Sequence, residues 1–262
     1  MKQKIGLVLG GGATKGAAIF SIIEELQKLN LKISFISGTS VGAIIGAYYA
    51  LHGEISSLKE EVFNFKRSNW LKFTDFNKIP RKSLIKAIYY KKFLEKKFIN
   101  KQFLDTKIPL IISVTNLTKG KVEYIKKGSI LDAVIMSSAY PGVFPPFVKE
   151  NNVYVDGAVL DNLPYEILLK KRNLKIVVVN LSEIHKREKL DNIYDVLKSS
   201  VDLMVENAFK GVDKNNKRLF MFKPKFKNSK SLWNTSDLDK KYEEGLKEFN
   251  SKKKEFLKWL GN

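Results

Sequence analysis

In "SGTSVGA", residues 37–43, Ser40 stands between Gly38 and Gly42 at Gly-x-Ser-x-Gly spacing. Glycines at those positions allow a tight strand-to-helix turn that leaves the serine hydroxyl exposed at the edge of a sheet, as a nucleophile requires. The same spacing also suits an ordinary turn in which Ser40 caps a helix. Attack on an acyl group needs two further parts, a base for the serine proton and donors for the oxyanion. In "GGGATKG", residues 10–16, successive glycine N–H groups precede a helix and form a cradle for an anion. In "DGAVLDNLP", residues 156–164, Asp156 closes a short strand before Gly157, so its carboxylate can share a sheet edge with Ser40. An Asp-Gly pair is equally the residue choice of a plain turn.

Competing chemistries fit these stretches less well. Gly10, Gly12 and Gly16 loosely resemble a dinucleotide fingerprint, but the third glycine comes one residue late. The second strand also ends in "ISGTS" rather than an acidic residue. A phosphate-binding loop fails as well, because Ala17 stands where lysine should follow the glycine. The usual base for a serine is histidine, and the chain has only His52 and His185. His52 falls twelve residues beyond Ser40 on the same expected helix, about 18 Å along its axis. His185 follows a strong strand, and the order Ser40, Asp156, His185 is that of an α/β-hydrolase triad. Only two strands precede Ser40, however, and "SEIHKREK" has the charge of a surface loop.

The elements that must hold these residues follow from periodicity. Strands are expected at 4–10, 32–37, 108–116, 121–128, 152–158, 174–182 and 218–224. Helices are expected at 15–29, 41–53, 129–139, 191–211 and 237–260, the second nearly all apolar and closed by Gly53. Alternation of strand, glycine turn and helix is the opening of an α/β domain with a parallel sheet. From about 54 to 107 the pattern turns to charged amphipathic helix, the character of a cap inserted between sheet strands. "SAYPGVFPPF", residues 138–147, reads as a proline-stiffened loop.

Composition bounds the partners. The 262 residues fit one sizeable domain, 44% hydrophobic and 28% charged, as in a soluble globular protein. The absence of cysteine excludes a disulfide framework and thiolate metal sites, and no acidic loop of calcium-binding type appears. No metal or other cofactor is expected. The net charge of +20 rests almost wholly on lysine, with arginine only at Arg67, Arg81, Arg172, Arg187 and Arg218. Nucleic-acid readers lean on arginine forks, so nucleic acid is not expected as a partner. A lysine-rich surface is foremost a solvated one, and it also suits peripheral attraction to anionic lipid headgroups. The N-terminal apolar run is broken by glycines and lacks a cleavage site, and no stretch has the length of a membrane helix. A cytoplasmic protein is the expectation, with the oligomeric state left open.

Taken together, "GGGATKG", "GTSVG" and "DGA", in that order, resemble the patatin-like phospholipase family. "SSAYPGVFPP" and "DNLP" resemble its linking segments, over roughly residues 4–182. The resemblance implies a three-layer α/β/α sandwich. With the mostly parallel sheet pattern, the helical cap at about 54–107, which matches no family motif, and the chain length, one domain over 1–262 is expected. The resemblance also implies a Ser–Asp dyad that hydrolyses lipid acyl esters, with phospholipids, lysophospholipids or simpler esters as substrates. On that likeness Ser40 is the nucleophile and Asp156 the general base. The N–H groups of Gly11 and Gly12, with Gly10 or Ala13, form the oxyanion hole. Gly16, Gly38, Gly42 and Gly157 support the turns. Lys15 occupies a basic position more often held by arginine, where it orients the loop or meets a phosphate. A free carboxylate, with a pKa near 3.9, is a feeble base, so burial is expected to raise that of Asp156. The rival expectation is a catalytically degenerate fold whose basic cap docks on membranes; nucleotide binding ranks behind it.

Overall fold

The structure is a computed structural model that describes residues 3–67, 80–182, 192–193, 196–197, 199–200, 203–204, 216–226 and 236–261. An eight-stranded sheet forms its middle. Its strands are β1 (Lys4–Leu9), β2 (Lys32–Gly38), β3 (Leu110–Asn116), β4 (Lys121–Ile125), β5 (Phe147–Lys149), β6 (Asn152–Asp156), β7 (Lys175–Val179) and β8 (Leu219–Phe222). They lie in the order β5-β6-β3-β2-β1-β7-β8, with β4 paired to β3. β1, β2, β3, β7 and β8 run parallel, while β4 and β6 join β3, and β5 joins β6, antiparallel.

Side chains of β1 and β7 alternate between two apolar layers, as the two-residue period of a strand requires. Ile5, Leu7 and Leu9 of β1 and Val177 and Val179 of β7 enter the larger core. Val8, Ile176 and Val178 point the other way, onto Leu163, Tyr165, Leu168 and Leu174. With both faces covered, the parallel strands read as unbroken apolar runs.

The larger core is closed by α1 (Ala17–Lys28), α2 (Val41–His52), α5 (Ile130–Ser137) and α7 (Leu238–Gly261). The opposite face is covered by α6 (Glu166–Leu169) and its flanking segments. α2 ends at Gly53, whose left-handed φ of 76° closes the last turn. α7 is pinned to β8 by Phe220, Phe222, Phe249 and Phe256, whose rings stand 5.0–6.0 Å apart. Burying each such ring contributes on the order of 2–3 kcal/mol.

The expected helical cap takes the form of α3 (Ser56–Arg67) and α4 (Pro80–Phe98), between α2 and β3. α4 is anchored through Leu94 and Phe98, both fully buried. The amphipathic helix pattern expected to about 107 breaks after Phe98, and a 3-10 turn follows at Phe103–Asp105. The proline loop ends in β5, a strand not anticipated because it is three residues long. Much of the helix expected at 191–211 lies outside the described residues, as does His185. Among the described residues no helix is long and apolar enough to cross a membrane.

Candidate active site

Ser40 sits between the end of β2 and the first residue of α2, with φ 55° and ψ −126°. A non-glycine residue at positive φ is strained, and such strain persists only where the surroundings impose it. Here they do. The Thr39 N–H donates to Leu9 O at 3.1 Å, and the Thr39 hydroxyl donates to Asp161 O at 3.2 Å. The Ser40 N–H donates to Ser137 Oγ at 2.9 Å, and that hydroxyl donates in turn to Ser113 O at 2.7 Å. β1 passes so close to the elbow that a Cβ on Gly42 would lie 2.2 Å from Leu9 O.

Asp156 ends β6 opposite Val114 of β3, with its N–H donating to Ala139 O at 3.0 Å. Its side chain is wholly buried. Oδ1 accepts from the Ala158 N–H at 2.9 Å, while Oδ2 has no hydrogen-bond partner. Burial pushes the carboxyl pKa up to about 7, against smaller opposing effects from the Ala158 N–H and the Ser40 hydroxyl. Hydroxyl and carboxylate thus influence each other without meeting full hydrogen-bond geometry, which is common before a substrate compresses a site. An aspartate poised near neutrality can accept a proton and release it again.

The glycine loop lies beside the elbow: a Cβ on Gly11 would fall 2.9 Å from that of Ser40. Its amides are not equivalent. The Gly10 N–H donates to Val179 O at 3.0 Å as an extension of the sheet. The Gly11 N–H donates to Asn162 Oδ1 at 2.5 Å, and Asn162 Nδ2 returns a bond to Gly11 O at 3.3 Å. The N–H groups of Gly12 and Ala13 donate no hydrogen bond among the described residues. Of the four amides named from sequence, Gly10 and Gly11 are therefore engaged here, and Gly12 and Ala13 are open. Ala13 holds a left-handed φ of 49°, a second strained backbone position besides Ser40. Lys15 and Gly16 complete the 3-10 turn that follows, and Lys15 is buried with Nζ 5.2 Å from the centre of the Phe226 ring. Gly38 ends β2, and Gly157 opens a 3-10 turn after Asp156.

His52 lies at the far end of α2 from Ser40, exposed, with its ring tilted against Tyr48 at 4.3 Å. Other side chains at the site had no role assigned to them from the sequence. Asn162 follows Asp156 by six residues yet grips the glycine loop. Tyr90 of α4 brings the cap to the site: its ring stacks on Phe144 at 4.6 Å, and its hydroxyl lies near Ser138 and Asp156. Burial raises the Tyr90 pKa far above the ordinary phenol value, so the hydroxyl stays a neutral donor. Ser137, buried at the end of α5, opens the "SSAYPGVFPP" stretch, where no role at the site was expected of it.

Comparison with known proteins bears on this arrangement. The family model of the patatin-like phospholipases matches residues 7–169. Lysophospholipase NTE1 of Mycosarcoma maydis is 29% identical over 184 residues, covering 70% of this chain and 10% of that protein. The corresponding Neurospora crassa protein is 30% identical over 164 residues, covering 62% of this chain and 11% of that one. The chain thus spans about a tenth of the length of these relatives. Among solved structures, VipD from Legionella pneumophila shares the fold with a TM-score of 0.52 at 16% identity, over 94% of this chain and 67% of VipD.

Proposed function

Because the chain belongs to the patatin-like phospholipase family, we propose that it is a lipid acyl-ester hydrolase working through a dyad of Ser40 and Asp156. The observation that carries this reading is the buried Asp156 carboxylate, one oxygen unpartnered, facing a serine held in a strained elbow. In the first step Ser40 Oγ attacks the ester carbonyl while its proton passes to Asp156. The carbonyl electron pair moves onto oxygen, and the open amides of Gly12 and Ala13 receive that oxyanion. Gly11 can add a third donor if substrate displaces Asn162. Collapse expels the alcohol, which takes the proton back from Asp156, and leaves an acyl-Ser40. Asp156 then draws a proton from water, whose oxygen attacks the acyl carbon; collapse breaks the Ser40 ester bond, Asp156 returns the proton to Ser40 Oγ, and the fatty acid leaves.

The substrate class follows the family and its lysophospholipase relatives: phospholipids, lysophospholipids or other lipid esters. The protein is read as one domain, since α7 packs into the same core as β1 and α1. It is placed in the cytoplasm, with its lysine surface drawn to anionic membrane. A fluorophosphonate probe and a panel of phosphatidylcholine, lysophospholipid and nitrophenyl esters test the reading. Labelling and turnover are expected in the native protein and lost in Ser40→Ala; an unlabelled, inactive native protein would end it.

A further inference from the structure

The family match stops at residue 169, yet the oxyanion loop is gripped by side chains from beyond that point. Lys241 of α7 is 2% exposed. Its Nζ donates to Thr14 Oγ1 at 2.6 Å and pairs with Asp237, one turn earlier, at 2.7 Å. Thr14 directly follows Ala13, the strained residue whose amide is open. The next residue, Lys15, lies over Phe226. The reach of Lys241 is set rigidly: at Gly245, one turn on, a Cβ would stand 2.3 Å from Ser21 Oγ and 2.6 Å from Ala18 O. α7 is therefore seated on α1 with no room for adjustment at this level.

Stability alone gives no reason for an ammonium here. Burying a lysine is costly even when it is paired, and an apolar side chain of similar volume is often as stable or more so. The bond to Thr14 does something an apolar side chain cannot, which is to hold the turn after Ala13 from outside the loop. Resting on the hydrolase reading above, we propose that Lys241 is a positioning residue for ester hydrolysis. Through Thr14 it keeps Ala13 left-handed and aims the Gly12 and Ala13 amides at the developing oxyanion.

The test uses the full chain with Thr14→Val, Lys241→Met and the double variant. Thr14→Val is nearly isosteric and leaves the Lys241–Asp237 pair intact, so it decides alone if Lys241→Met folds poorly. Turnover is measured on a soluble nitrophenyl ester, together with inhibition by an alkyl trifluoromethyl ketone. Ser40 Oγ adds to the carbonyl carbon of that ketone, its proton passes to Asp156, and the oxyanion that results occupies the same amides. Each single variant is expected to lose about tenfold or more in kcat with KM within about twofold. Ketone affinity should fall in step with kcat/KM, and the double variant should be no worse than either single. Near-normal kcat in both singles, ketone affinity that does not follow kcat/KM, or multiplying losses in the double would overturn the assignment. Those results leave the hydrolase reading standing, whereas a native protein with neither turnover nor Ser40 labelling removes both.

Discussion

Replacing Asp156 by asparagine should stabilise the protein, and only above acidic pH. The buried carboxyl titrates at about 7 in the folded chain against 3.8 as a free group. The folded state thus holds its proton over about three pH units in which the unfolded state has released it. As pH rises through that window the unfolded state is favoured progressively, by about 1.4 kcal/mol per unit. The loss reaches about 4 kcal/mol near pH 7 and is constant above it. Asparagine does not titrate, and its oxygen can still accept from the Ala158 N–H that now binds Oδ1 at 2.9 Å. The difference between variant and native protein should therefore be small near pH 4, grow to pH 7 and then level off. For a chain of this size 1 kcal/mol moves Tm by about 2–4 °C, so the variant should melt about 10 °C higher at pH 8. Thermal melts of both proteins from pH 4.5 to 9 measure this directly, with background titrations cancelling in the difference. A difference that is flat with pH, or a variant less stable at pH 8, would refute the placement of an unsatisfied, ionisable carboxylate in the core.

On the proposed dyad the same titration would control catalysis: kcat should rise about tenfold per pH unit below 7 and level off above it, because only ionised Asp156 could accept the Ser40 proton. A profile flat from pH 5 to 8 would point to another base. Gly42→Ala should abolish activity and destabilise the fold by about 3 kcal/mol or more in urea titrations, since its Cβ would meet Leu9 O at 2.2 Å. Binding to vesicles should require anionic lipid and weaken as salt screens the +20 charge, which co-sedimentation over 50–500 mM salt, a range with Debye lengths of about 4–14 Å, will report.

The parts of this protein that local sequence determines are the ones governed by short-range periodicity and turn chemistry. Alternating and continuous apolar runs marked the strands of the sheet, and glycines marked the two turns after β1 and β2. The three motifs, in order, marked Ser40, the glycine loop and Asp156 as candidate site residues by their likeness to one family. Element ends slipped by a residue or two where a helix opens through a 3-10 turn, as around Ala13–Gly16. What the tertiary structure alone decided is how those parts are held. Asp156 gains its raised pKa from burial by residues remote in sequence, and no local pattern encodes an unpartnered Oδ2. Which glycine amides stay open depends on Val179 and Asn162, the latter 151 residues from Gly11. Tyr90 arrives from the cap and Lys241 from 227 residues beyond Thr14. Hydrogen-bond partners separated so far along the chain leave no periodic trace, because only the packing of whole elements brings them together.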